Sequence, residues 1–180
     1  MDRISWDQYF ATIAICTAMR SPDPETQVGA VIVSQDNIIL STGYNGWPRG
    51  VNDFVDNDLR FQKPEKYVWM AHAERNAIDN ASHNGIRLKG SIMYGLLPPC
   101  ADCTRGIIQA GISEYVLINT TAAFYSDVKN LTPESASNWY ALIDQSSQML
   151  TSAGVKFRVI EAETTALAIR LGGEVLSLTR

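Results

Sequence analysis

Apolar positions along the chain change period several times, and each change marks an element. Trp6, Tyr9, Phe10, Ile13, Thr17 and Arg20 recur at helical spacing behind Ser5, a residue suited to cap a helix start. Pro22 and Pro24 end that run, which predicts a first helix with Cys16 packed in the core. Val28, Gly29, Ala30, Val31, Ile32 and Val33 form a short β-branched run that reads as a buried strand. Gln35, Asp36 and Asn37 make a turn, and Ile38, Ile39 and Leu40 return as the second strand of a hairpin.

Residues 43–66 lack clear periodicity and carry Gly43, Gly46, Pro48, Gly50 and Pro64, so they read as a long loop. Helical spacing returns over 73–83 and stops at Asn84 and Gly85. Residues 91–96 predict a third strand, broken by Pro98 and Pro99. A helix follows from near Cys100 to Gly111, then a fourth strand over 115–119. Pro133 and Glu134 open a helix to about Ser152, closed by Gly154, and 155–160 is a fifth strand. The tail over 161–171 reads as helical and closes at Gly172 and Gly173. Strands alternating with helices after a starting hairpin predict an α/β fold: a mixed five-stranded sheet with helices on both faces, three layers in all. The whole chain, 1–180, reads as one domain, with a core over about 5–160 and a C-terminal extension over 161–180.

Composition narrows the function. A 46% hydrophobic and 19% charged chain of 180 residues argues for a packed core over disorder. Its net charge of −4, with scattered Lys and Arg, argues against nucleic acid and for a small-molecule partner. No apolar run suggests a signal peptide or a membrane span. Three cysteines, Cys16, Cys100 and Cys103, do not make a disulfide framework and point to a reducing, cytoplasmic setting.

The candidate chemistry lies in His72-Ala73-Glu74 and Pro99-Cys100-Ala101-Asp102-Cys103. One imidazole and two thiolates are good Zn2+ ligands and leave a fourth tetrahedral position for water, which zinc activates as a nucleophile. The two cysteines are one helical turn apart at a predicted helix start, where the dipole favours thiolate. Glu74, beside the metal without ligating it, is the candidate proton shuttle. A closed four-cysteine site lacks its second pair, and His83 is three turns from His72, too far to complete a closed site from one helix. A redox pair leaves His72 and Glu74 unexplained. The pattern resembles the signature of zinc nucleobase deaminases. In that chemistry Glu74 moves a proton from water to the ring N3, hydroxide attacks C4, and ammonia leaves.

The resemblance extends further. Arg20-Ser21-Pro22-Asp23-Pro24, Gln27-Val28-Gly29-Ala30, the glycine-rich run from Gly43 to Gly50, His72-Ala73-Glu74-Arg75-Asn76-Ala77-Ile78 and Ile107-Ile108-Gln109-Ala110-Gly111-Ile112 resemble the deoxycytidylate (dCMP) deaminase family of the cytidine deaminase-like superfamily. That resemblance implies a zinc hydrolase turning dCMP into dUMP, assembled as a homo-oligomer (hexamer or dimer) and regulated by dCTP and dTTP. It implies Asn45, Arg20, Ala73 and Tyr125 as substrate contacts, and Gly43, Tyr44 and Gly46 as effector contacts. Three departures stand out. Ser126, after Tyr125 and before Asp127, occupies a position where relatives carry a basic residue. The stretch 128–140 is longer than usual, and the tail passes the usual end of the family. Ser126 keeps other substrates open: dCTP, a modified dCMP or deoxycytidine. Arg20, Arg49 or Lys129 are alternative cations for a phosphate. A non-catalytic zinc-stabilised module is the remaining alternative, and the intact Glu74 argues against it.

Overall fold

In the computed structural model the Ser5 hydroxyl accepts the Gln8 N–H at 3.1 Å and starts helix α1, Trp6–Ala18. The structure describes residues 3–51, 61–119 and 133–162, and the backbone alone for 133–140, 142, 143, 167–171 and 174–178. The remaining elements are β1 (Gly29–Val33), β2 (Ile39–Tyr44), α2 (Glu65–Trp69), α3 (Ala73–His83), β3 (Ile92–Gly95), α4 (Ala101–Gln109), β4 (Glu114–Asn119), α5 (Pro133–Ser152), β5 (Lys156–Glu161), β6 (Leu167–Leu171) and β7 (Glu174–Leu178). Among the described residues no helix is long and apolar enough to cross a membrane.

The first five strands form one mixed sheet in the order β2-β1-β3-β4-β5. β1 runs antiparallel to both β2 and β3, while β3, β4 and β5 are parallel. Parallel neighbours need crossovers, and α4 and α5 supply them. Strand alternation sorts the core into two layers. Ala30, Ile32, Met93 and Tyr115 pack with Ala73 and Ala77 of α3, Ile107 of α4 and Leu150 of α5. Val31, Val33, Tyr94, Val116 and Ile118 face Phe10, Ala11 and Ala14 of α1. The three-layer α/β/α arrangement follows from that alternation.

Several details differ from the sequence reading. The buried side of α1 is Phe10, Ala11, Ala14 and Ala18, so Cys16 is exposed and not in the core. The small alanines let the helix seat closely on the sheet, while Trp6 stays half-exposed and stacks on Phe10 at 5.6 Å. The expected 43–66 loop is shorter, since β2 reaches Tyr44 and α2 begins at Glu65. The tail is not helical. β6 and β7 pair as an antiparallel hairpin, with Leu167 opposite Leu178 and Ile169 opposite Leu176. Leu167, Ile169 and Leu171 alternate with period two, and backbone pairing with a second strand outweighs the helix preference of the alanines nearby.

An ionic cluster ties the chain's start to its last core strand. Asp7 accepts two hydrogen bonds from Arg158, at 2.7 and 2.8 Å, and one from the Tyr94 hydroxyl at 2.7 Å. Arg158 also pairs with Glu114. The Arg158 guanidinium, aided by Tyr94, outweighs burial and holds the Asp7 carboxyl below its ordinary value. The Asp7 contribution is therefore complete above its unfolded value near 3.8 and disappears as pH falls through the lower folded value. Both side chains are more than a third exposed (38% and 37%), so solvent screening limits the effect to about 1 kcal/mol. Asp7→Asn is expected to lower the melting temperature by a few degrees at pH 7, with the gap to wild type closing in melts taken from pH 5 down to pH 3. A gap that stays constant over that range counts against the assignment.

Candidate active site

Two helix starts meet at one end of the sheet. His72 is the N-cap residue of α3 and Cys100 the N-cap residue of α4. His72 has extended backbone (φ −74°, ψ 158°) and its carbonyl accepts the Asn76 N–H at 2.9 Å, which leaves the imidazole free of capping duty. Cys100 caps α4 with its own sulfur, which accepts the Cys103 N–H at 3.5 Å. His72 Nδ1 then lies 3.4 Å from Cys100 Sγ and 3.5 Å from Cys103 Sγ. The three ligand atoms lie within 4.8 Å of one another, the one such group among the described residues. Tetrahedral zinc, with Zn–N of about 2.0 Å and Zn–S of about 2.3 Å, requires N to S separations of about 3.5 Å, so the donors fit the ion. Three ligands from the chain leave one position for a reactant.

The electrostatics suit a cation. The neighbouring Cys103 sulfur, His72 and the Cys103 N–H pull the Cys100 thiol down to about 4 against the effect of burial. The Cys100 sulfur and burial push Cys103 up, so without a cation one thiolate excludes a second. A dication between them stabilises both thiolates. Cys100 also raises His72.

Glu74 occupies the first turn of α3 and is only 4% exposed. Burial raises its carboxyl above the usual range, against the opposing effects of a backbone hydrogen bond and His72. The Tyr115 hydroxyl lies 3.3 Å from Glu74 Oε1 and donates to the Leu97 carbonyl at 2.7 Å. Tyr115 reaches that point from β4 because Gly95 on β3 has no side chain: a β-carbon there would stand 2.0 Å from the Tyr115 hydroxyl oxygen. By strand periodicity Tyr115 and Gly95 are plain strand residues. Nothing in strand periodicity says how far along the sheet a ring extends.

Of the other candidates, Ala73 and Gly46 adjoin the segment that carries His72. Ala73, wholly buried, is the first residue of α3. Gly46 exchanges two backbone hydrogen bonds with Ala71, at 3.0 and 2.9 Å, one residue before His72. Gly43 packs on α3, whose Ala77 nitrogen lies 2.2 Å from where its β-carbon would be. Arg20 is exposed and lies over the Tyr44 ring, 6.0 Å from its centroid. Asn45 is buried; its side-chain Nδ2 donates to Asp23 and to the Thr26 carbonyl, and its side-chain Oδ1 accepts the Val28 N–H. Asp23 in turn holds Lys66 at 2.7 Å, with side chains 1% and 9% exposed. This ion pair, invisible to sequence periodicity, anchors α2 and the approach to His72. Tyr125, Ser126, Asp127 and Lys129 lie outside the described residues.

The family model for the cytidine and deoxycytidylate deaminase zinc-binding region matches residues 4–119. The chain belongs to that family. Human deoxycytidylate deaminase is 43% identical over 121 residues, covering 66% of this chain and 67% of the human protein. An uncharacterised deaminase from the luxG 3' region of Aliivibrio fischeri is 36% identical over 151 residues, 84% of this chain and 90% of that one. Among solved structures, the dCMP deaminase of cyanophage S-TIM5, in complex with dCMP and dUMP, superimposes with a TM-score of 0.63. It is 21% identical and covers 89% of this chain and all of that one, which confirms the fold. This deaminase is thus a zinc enzyme, and His72, Cys100 and Cys103 supply a donor set that matches the metal.

Gly95→Ala is expected to destabilise the deaminase by about 2 kcal/mol, because the new methyl group collides with the Tyr115 hydroxyl. Adding Tyr115→Phe should return part of that loss, since the phenolic oxygen is the nearest obstacle. Denaturant melts of the two single variants and the double variant measure the coupling, and strictly additive losses contradict the contact.

Proposed function

We propose that this deaminase hydrolyses dCMP to dUMP, with Glu74 as the proton shuttle. The observation that carries the reading is a buried carboxylate placed in the same helix turn that presents His72 to the two cysteines. His72, Cys100 and Cys103 would hold zinc, which would supply the Lewis acidity that activates water as a nucleophile near neutral pH. Glu74 takes a proton from the attacking water and delivers it to ring N3 of the pyrimidine. With the hydroxyl added to C4, Glu74 carries the proton of that hydroxyl to the exocyclic nitrogen; the C–N bond breaks, the C4 carbonyl forms, and ammonia departs. The raised affinity of Glu74 for a proton suits this two-way traffic. Tyr115 limits where the carboxylate points.

The likeness to deoxycytidylate deaminases supports a nucleotide substrate. Arg20, exposed over the Tyr44 ring, is a cation available for its phosphate. The reading extends to a homo-oligomer responding to dCTP and dTTP in a reducing, cytoplasmic setting. Exposed apolar side chains such as Met19, Tyr67 and Val68 support subunit contact, and the free cysteines support the setting.

Glu74→Gln is expected to retain one zinc per chain while losing turnover by at least about a thousandfold. Turnover of dCMP, dCTP, a 5-substituted dCMP and deoxycytidine, each with and without dCTP or dTTP as effector, tests the substrate. Activity on dCMP should exceed that on deoxycytidine by orders of magnitude. Equal rates on the two would overturn the nucleotide assignment, and ordinary activity in Glu74→Gln would overturn the shuttle.

A further inference from the structure

The metal ligands come from two separate helices, and their spacing is only as good as the tie between those helices. We propose that Arg75 is a positioning residue that clamps α3 to α4 and so holds the two halves of the zinc site in register. Arg75 follows Glu74 in the first turn of α3. Its Nη2 crosses to α4 and donates to the Asp102 carbonyl at 3.1 Å and to Asp102 Oδ2 at 3.0 Å. Asp102 lies between Cys100 and Cys103, so this contact grips the turn that carries both sulfurs. Arg105 holds the other carboxylate oxygen at 3.1 Å and steadies it.

Gly106 supplies the independent observation. It lies inside α4, where glycine weakens a helix relative to alanine. A β-carbon there would stand 2.9 Å from Arg75 Nη1 and 3.0 Å from both Cζ and Nη2. The flat guanidinium therefore lies against the bare backbone of α4 while its edge bonds Asp102. A lysine has no such plate to lay against the bare backbone at Gly106. The exposed ion pair itself is weak. Its value lies in geometry, because a shift of one helix along the other changes both His72–sulfur separations together.

Zinc release tests the clamp without reference to any nucleotide, so its failure is distinct from failure of the substrate reading. Zinc-loaded protein is challenged with a chromogenic chelator, and release rate, melting temperature and turnover at saturating zinc are read together. Arg75→Ala is expected to release zinc about tenfold faster, with Arg75→Lys restoring only part of the loss. Gly106→Ala is the second variant, available if Arg75→Ala does not fold. It should also speed release by displacing the guanidinium, while its melting temperature holds or rises from better helix propensity. A general loss of structure does not produce that split. Wild-type release in both variants overturns the proposal. So does release that rises only in step with lost thermal stability, or lost turnover at wild-type release, which would place Arg75 on the substrate.

Discussion

Two helix N-termini directed at the same point repel unless negative charge lies between them. Each carries a partial positive charge from unpaired N–H groups. Here α3 begins at His72 and α4 at Cys100, and the sulfurs of Cys100 and Cys103 are the charge that reconciles them. The thiolates are stabilised by the helix starts, and the helix starts are held together by the thiolates and the ion they bind. The fold around this point serves to bring those two ends together.

The sheet does so through its handedness and order. β3 leads into α4 and α4 into the parallel strand β4, which sets the start of α4 beyond the end of β3. α3 packs on the same face through Ala73, Ala77 and Ala81, small residues that allow close approach. The approach to His72 is fixed from the other side by the Gly46–Ala71 bridge and by the buried Asp23–Lys66 pair. Removing one partner of such a pair strands a charge in the interior and costs several kcal/mol, so the segment before His72 has little freedom to drift.

Tyr115 and Glu74 show how the environment of a candidate proton carrier arises from core packing. The same residue that fills the core and stacks parallel to Phe157, 6.0 Å away, also brings a hydroxyl to the carboxylate. Burial that excludes water around Tyr115 is the largest influence raising Glu74. Stability and proton affinity here have a common cause, which is why Gly95, with no functional group of its own, shapes the surroundings of Glu74.

The donor set was legible in the chain because metal chemistry is local: His72, Cys100, Cys103 and the nearby Glu74 declare themselves by residue type, spacing and helix-start context. The strand and helix order was legible too, since period-two and helical patterns survive in a two-sided sheet. What the sequence left open depended on contacts distant in the chain. The tail's hairpin rests on backbone pairing between β6 and β7, which residue preferences alone do not reveal. Exposure of Cys16 depends on which of two apolar faces of α1 meets the sheet. The roles of Tyr115, Gly95, Lys66 and Arg75 depend on where side chains from separate elements end in space. Residue types alone determined the chemistry available to this protein; tertiary packing decided how that chemistry is held, because a ligand's identity is carried by one residue and its position by many.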